Sequence, residues 1–338
     1  MATNRKPVDA QVIVITGATS GIGLATARQA AEEGARLVLV ARDDEGLRQV
    51  AEDLDPSGTR VRWMTADVAD RDAMDRVAGL AREAFGGVDT WVNNAGASAY
   101  GLLEETPLAD AHRIFATNYW GVVNGALAAL PELRRSGGVL INIGSVLGDR
   151  AVSLQGHYSA SKHAVKGFTD ALRVELERDG AGVAVTHVKP SSIATPYPEH
   201  AADHMDRETD LPPPLYAPEV VARAVLACAV RPRRDVYVGA AGPMLGGFGT
   251  LAPRLMDRYV RHIAHDQQRA DAPREPGRRE GLHAPARGDV RVWGRPRRRA
   301  RRSSAYTAAV LHPARTAAVA GAAGVALALA ALVPMSRR

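Results

Sequence analysis

Val12-Ile13-Val14-Ile15-Thr16-Gly17-Ala18-Thr19-Ser20-Gly21-Ile22-Gly23 is the stretch whose reading decides the fold. Its first four residues are β-branched and apolar, which fits a parallel strand buried on both faces. A glycine-rich turn follows at once, and Gly21 to Gly34 then reads as a helix with Gly34 as its stop. A strand that runs through such a turn into a helix N-terminus aims backbone N–H groups and the positive end of the helix dipole at one point, where an anion binds. One glycine cluster alone is a plain tight turn. Its place between a strand and a helix favours a phosphate site instead.

Outward from this unit the same alternation repeats. Leu37–Val40, Val61–Thr65, Thr90–Val92, Gly138–Ile143, Val183–Val188 and Val236–Val238 read as further strands. Asp70–Phe85, Pro107–Leu133, Tyr158–Arg178 and Ala217–Val230 read as helices; the first of them sets Met74, Val77, Leu80 and Ala81 at helical spacing. The pattern predicts an α/β fold, a Rossmann-like doubly wound parallel sheet of about seven strands with helices on both faces. In such folds the residue after the second strand selects the cofactor: an acid holds a ribose 2′-OH, and an arginine accommodates a 2′-phosphate. Ala41-Arg42-Asp43 stands there, so Arg42 points to NADP(H), with NAD(H) the alternative if Asp43 does the work.

Tyr158 and Lys162 are four residues apart on a predicted helix and share one face. An ammonium beside a phenol favours phenolate, which makes the pair a proton donor and acceptor for neutral pH. Asn93-Asn94-Ala95-Gly96 lies in the middle of the chain, and Gly144-Ser145 ends the fifth strand, thirteen residues before Tyr158. Together with Thr16 to Gly23 these motifs resemble the short-chain dehydrogenase/reductase family over roughly residues 8–240. The Gly17, Gly21, Gly23 spacing is similar to that family's TGxxxGxG.

The resemblance implies an enzyme that interconverts a carbonyl and an alcohol with NADP(H). Tyr158 would move the hydroxyl proton, Lys162 lower its pKa and hold the nicotinamide ribose, Ser145 hydrogen-bond the substrate oxygen, and Asn118 anchor a water in a proton relay. It also implies cofactor contacts from Gly17, Thr19, Ser20, Gly21, Ile22, Gly23 and Arg42, from Asp67 and Val68 at the adenine, and from Asn94, Ala95 and Gly96, the last group mainly structural. Pro190, Ile193 and Thr195 would complete the nicotinamide end. Asp67 reads equally well as a helix cap. Ser191 stands where the family has glycine, which leaves the backbone path there open. A homo-oligomer, dimer or tetramer, is the assembly the family implies. Tyr100, Leu102, Gln155, His157 and the irregular 197–216 stretch are the expected substrate pocket and lid.

Composition narrows the alternatives. The formal charge of +6 hides an asymmetry: residues 1–252 carry 25 Lys+Arg against 31 Asp+Glu, and residues 253–338 carry 18 against 6. The basicity belongs to the tail, so nucleic-acid binding by the main domain has no support. Cys228 is the single cysteine and lies in an apolar helical run, which reads as a buried thiol in a reducing compartment. Residues 1–10 have no apolar core of a secretory signal, and a cytoplasmic catalytic domain is expected. His200 and His204 are four apart, but no carboxylate or cysteine constellation accompanies them. They read as solvated or substrate-facing, and no metal is expected.

The expected catalytic domain spans residues 1–250. Beyond it, 251–269 reads as an amphipathic helix and 270–304, rich in Arg, Pro and Gly, as a disordered linker. The linker includes the basic cluster 297–302, a candidate for anionic lipid or nucleic acid. Thr316 to Ser336 is uncharged over 21 residues and long enough to cross a bilayer core of about 30 Å. An apolar C-terminal helix within 305–338, serving as a membrane anchor, is therefore expected, with packing on the domain or a partner as the alternative. A catalytically idle NADP(H)-binding sensor is the rival from another class, and the presence of Tyr158 argues against it.

Overall fold

The computed structural model describes residues 5–274, 280–295, 299–314 and 316. Seven parallel strands form the central sheet: β1 (Val12–Thr16), β2 (Arg36–Ala41), β3 (Val61–Thr65), β4 (Thr90–Asn93), β5 (Val139–Ile143), β6 (Ala184–Pro190) and β7 (Asp235–Val238). Their spatial order is β7-β6-β5-β4-β1-β2-β3, so the winding reverses between β1 and β4. That reversal opens a crevice at the C-terminal ends of the two strands, where such sheets take ligands.

The strands alternate between two cores. Ile13, Ile15, Leu37 and Leu39 face helices α1 (Gly21–Glu32), α2 (Asp44–Leu54) and α7 (Pro218–Val230). Val12, Val14, Val38 and Val40 face α3 (Arg71–Phe85), α5 (Gly121–Ser136) and α6 (Gly156–Arg178). Period-two alternation in a strand apolar on both sides produces this three-layer arrangement. Cys228 is buried within the first core, and burial pushes its thiol up to about 12, so it remains protonated and unreactive. The long helical region divides into α4 (Leu108–Phe115), a π-helical turn (Ala116–Trp120) and α5.

A buried polar chain crosses the second core. Asn93 donates to Asn142 at 2.9 Å, and Asn142 donates to Thr169 at 3.0 Å, linking β4, β5 and α6. All three residues are buried, so each hydrogen bond replaces one that water would otherwise make.

The region after β7 departs from expectation. α8 (Ala241–Leu251) follows, and within the 251–269 stretch read as a helix α9 (Pro253–Tyr259) runs on into a π-helical turn, Val260–Ala264. Residues 280–295 do not form the loose linker predicted from composition: Leu282 and Val292 are buried against the domain. Backbone and side-chain hydrogen bonds supply what the apolar content lacks, and composition alone does not reveal such pairings. Arg269–Pro273 pairs antiparallel with Arg207–Thr209. A short helix, Ala305–Leu311, packs beside β7, with Thr307 accepting from the Gly239 amide at 3.0 Å. No helix among the described residues is long and apolar enough to cross a membrane. Most of the 316–336 run and part of the basic cluster lie outside the described residues.

Asn142→Leu keeps the side-chain volume but leaves the Asn93 amide with only its longer bond, to the Val122 carbonyl at 3.3 Å. We expect a loss of about 2–3 kcal/mol in urea-unfolding stability. An unchanged midpoint would show that the chain contributes nothing.

Candidate active site

The crevice at the strand ends opens into a cavity of about 1170 Å³. Every residue predicted to touch the cofactor lines it except Gly23, as do Ser145, Tyr158 and Lys162; Asn118 does not. Gly17 and Gly21 take positive φ of 68° and 52°, which a side chain would resist. Gly23 serves packing: a Cβ there would come within 2.1 Å of the Gly17 carbonyl oxygen. The Asn94 side chain donates to the carbonyls of Thr16 at 2.8 Å and Gly17 at 3.2 Å, and the Thr16 hydroxyl accepts from the Asn94 and Ala95 amides at 3.0 and 3.1 Å. The β1 and β4 loops are thereby tied side by side, leaving room for a ligand backbone to approach.

Tyr158 and Lys162 project from the first turns of α6. The Lys162 ammonium donates to the Ile143 carbonyl at the end of β5 at 2.9 Å and lies 5.7 Å from the Tyr158 ring centroid. Ser145, also at the end of β5, accepts from the Leu147 amide at 3.1 Å and hydrogen-bonds Tyr158. The expectation that Lys162 makes the phenol more acidic is not met in the bare protein. Burial pushes the Tyr158 pKa up, and hydrogen bonds with Ser145 and Tyr197 only partly offset it. Burial also brings Lys162 down to about 8. Desolvation outweighs the mutual attraction of the pair here because both groups sit in a low-dielectric pocket.

Asn118 is fully buried and its side chain is committed. It accepts from the Ala97 amide at 2.8 Å and donates to the Ala97 carbonyl at 2.9 Å and the Ser161 hydroxyl at 3.0 Å. It therefore braces the loop after β4 against α6, and it lies in the π-helical turn, a type of distortion common at functional sites. Ser191 donates through both its amide and its hydroxyl to the Val238 carbonyl, at 3.0 and 2.8 Å. Its φ is not positive, so the serine leaves the path of the chain intact.

Residues outside the motifs extend the site, two from the expected pocket and Gln268 from beyond it. Tyr197 hydrogen-bonds Tyr158 and donates to Gln155 at 3.1 Å, and Gln155 donates to the buried Gln268 at 2.7 Å. A polar chain thus leads from Tyr158 into the tail. Tyr100 and Gln155 line the cavity as predicted, whereas Leu102 and His157 do not. His200 lines the cavity, and both half-buried histidines are paired, His200 with Asp289 at 2.8 Å and His204 with Asp110 at 2.7 Å. Among the described residues no cluster could hold a metal ion.

The segment 280–295 forms the outer wall of the cavity. Arg42 donates to the carbonyls of Gly281 and, at 3.1 Å, Leu282, and Arg113 joins Leu282 to Asp67 at 3.2 and 2.6 Å. The Gly21 amide, at the N-terminus of α1, donates to the Arg291 carbonyl at 3.0 Å. His283 reaches Asp110 at 2.7 Å, Arg291 reaches Glu199 at 2.7 Å, and Trp293 donates to Glu219 at 2.9 Å. Burial works against the charge of Asp110, yet hydrogen bonds from His283 and His204 hold its carboxyl below the usual range. No local periodicity marked this strap. Its glycines and charged residues find partners as far back as residue 21.

A doubly wound sheet with a glycine cradle, a Ser-Tyr-Lys cluster and a single cavity joining them defines a nucleotide-binding oxidoreductase. The family described as short chain dehydrogenase matches residues 11–206. The uncharacterized oxidoreductase YxnA of Bacillus subtilis (strain 168) is 40% identical over 322 residues, covering 93% of this chain and 89% of that protein. Dehydrogenase/reductase SDR family member 7B of Bos taurus is 35% identical over 274 residues, covering 77% and 83%. The solved L-sorbose reductase of Gluconobacter frateurii, complexed with NADPH and L-sorbose, superposes with a TM-score of 0.60 at 26% identity, over 70% of this chain and 97% of that one. The chain belongs to the short-chain dehydrogenase family, whose oxidoreductases act on CH–OH and carbonyl groups with NAD(P). An alignment as long as that with YxnA also takes in the strap.

Lys162 is 4% exposed, and its pKa falls from 10.5 to about 8. Below pH 8 its buried charge costs stability; between pH 8 and 10.5 the unfolded chain binds the extra proton, so that cost is relieved as pH rises. The stability of the protein relative to a Lys162→Met variant should therefore climb by about 3 kcal/mol across that window. A difference independent of pH in chemical-denaturation curves would show that Lys162 is not desolvated.

Proposed function

We propose that the chain is an NADP(H)-dependent oxidoreductase that interconverts a carbonyl and an alcohol, with Tyr158 as the proton donor and acceptor. The observation that carries this is the meeting of Tyr158, Ser145 and Lys162 at the strand ends, in the same cavity as the glycine turn and Arg42. The cavity volume and the glycine cradle fit a dinucleotide. Its pyrophosphate would lie on the amides of the glycine turn, displacing the Arg291 carbonyl from the Gly21 amide, its adenine against Asp67 and Val68, and its nicotinamide end near Pro190, Ile193 and Thr195. Arg42 would face a 2′-phosphate: a guanidinium has five N–H donors, and the three strap carbonyls of Gly281, Leu282 and His283 do not exhaust them. The solved L-sorbose reductase in complex with NADPH supports the same preference.

The cofactor supplies the hydride, and the protein supplies orientation and the proton. Ser145 holds the substrate oxygen beside the Tyr158 hydroxyl. Tyr158 donates its proton as the oxygen gains charge, and Lys162 stabilises the phenolate that results. Tyr197 and Gln155 offer the route by which that proton is restored.

Tyr158→Phe should lower turnover by at least about a thousandfold while leaving NADPH affinity within about twofold. The assay follows absorbance at 340 nm with NADPH and NADH against aldehydes, ketones and quinones. Near-normal activity in the variant would refute the assignment, and faster turnover with NADH would overturn the reading of Arg42.

The strap has a kinetic consequence under the same proposal: a cofactor beneath it leaves only after the strap lifts. Trp293→Ala combined with His283→Ala removes two anchors and should speed NADPH release by about tenfold, read as the decay of bound-cofactor fluorescence after mixing with excess NADP⁺. Release at the parental rate would mean the strap does not limit exchange.

A further inference from the structure

Leu251, Leu255, Tyr259 and Ile263 follow one another at intervals of four along α9 and its flanks, and each is exposed, Leu251 by 85%, Leu255 by 57% and Ile263 by 45%. Large apolar side chains exposed in a row are unusual on a surface that faces only water. Arg254, Arg258 and Arg261 border the row, all exposed, and none has an ion-pair partner among the described residues. Asp257, the one acid in the stretch, is taken by Arg150. Leu255, Tyr259 and Ile263 also line the cavity, so the row forms part of its mouth.

We propose that residues 251–263 lie in the interface of an anionic lipid surface and seat the cavity mouth on it, so that the enzyme takes an apolar carbonyl or alcohol dissolved in the membrane. An apolar stripe flanked by arginines is the pattern of an interfacial helix, with the stripe at the acyl boundary and the cations among headgroups. The charge decides between occupants. A second copy packed symmetrically on this face would set arginine against arginine. The chain's own run from 316 to 336 carries no acid to meet them. Anionic headgroups satisfy both halves of the surface. The cavity wall continues inward through Leu245, Met256 and the prolines 212–214, which give an apolar molecule entering past Leu255 a surface to follow beside Arg258 and His262. The substrate half of this inference rests on the function proposed above; the docking half does not.

The first experiment is sedimentation of the full chain, without cofactor, with vesicles of phosphatidylcholine alone and of phosphatidylcholine with phosphatidylglycerol. Binding is expected to the anionic vesicles and to weaken with salt. Leu255→Glu with Ile263→Glu should reduce it at least about tenfold. Because both side chains are exposed, the variant should keep its melting temperature. Leu327→Arg with Leu329→Arg, which interrupts the apolar run, should leave binding largely in place. Equal binding by the parent and the Leu255→Glu, Ile263→Glu variant would overturn the docking. So would a change in oligomeric mass on light scattering with no change in vesicle binding, because the face would then join copies of the chain. NADPH consumption with decanal and propanal tests the substrate half. Faster turnover of decanal, raised further by anionic vesicles, supports it. Equal turnover of both overturns it and spares the oxidoreductase reading, whereas turnover of no carbonyl compound sinks that reading and leaves vesicle binding as the judge of the docking.

Discussion

The contact on which the rest of the site depends is the clasp between Asn94 and Thr16. Strands β1 and β4 are neighbours in the sheet, but their chains leave in opposite directions, and nothing in the ladder itself fixes the distance between the two loops. The Asn94 amide takes the carbonyls of Thr16 and Gly17, and the Thr16 hydroxyl takes two amides in return. This double exchange sets the width of the crevice. Gly23 can then pack on the Gly17 carbonyl, α1 starts where its N-terminus faces the cavity, and the loop after β4 reaches Asn118.

From that clasp the chemistry is assembled out of separate elements. β5 ends in Ser145, α6 begins with Tyr158, and Ile143 on the first of these receives Lys162 from the second. The enclosure that makes proton transfer controllable also suppresses ionisation, since the phenol is pushed up and the ammonium down. A phenol kept neutral in the ground state makes the charge that develops on reaction the one the site is organised to meet. The same preference for pairing over solvation recurs at Asp110, which gathers two histidines from different segments.

Most of the sheet was legible because its signals are local. Val12–Ile15 and Leu37–Val40 are apolar on both faces, glycines stand where the backbone turns, and the helix periods of 70–85 and 158–178 are clear. The motif residues fell along one cavity because a doubly wound fold brings strand ends together whatever lies between them. What escaped was non-local. Arg42 was read for a phosphate, and its place beside Gly281 and Leu282 depends on a segment some 240 positions away whose composition resembles a loose linker. Tyr197 and Gln268 carried no motif, and their role follows from contact with Tyr158 and Gln155. His200 and His204 have helical spacing, yet each turns to a different carboxylate because the chain between them is a turn and a short strand rather than a helix.

The strap also bears on the order in which the molecule comes into being. Synthesis delivers the glycine cradle first and the wall that covers it last, with the Gly21 amide waiting for the Arg291 carbonyl through almost the whole length of the chain. A nascent chain that has completed the sheet still has an open groove, with the amide at the head of α1 exposed to water. Closure of so distant a loop is among the slower and less local events of folding. A polypeptide broken off before residue 295 would therefore have every strand of the sheet and an unfinished pocket.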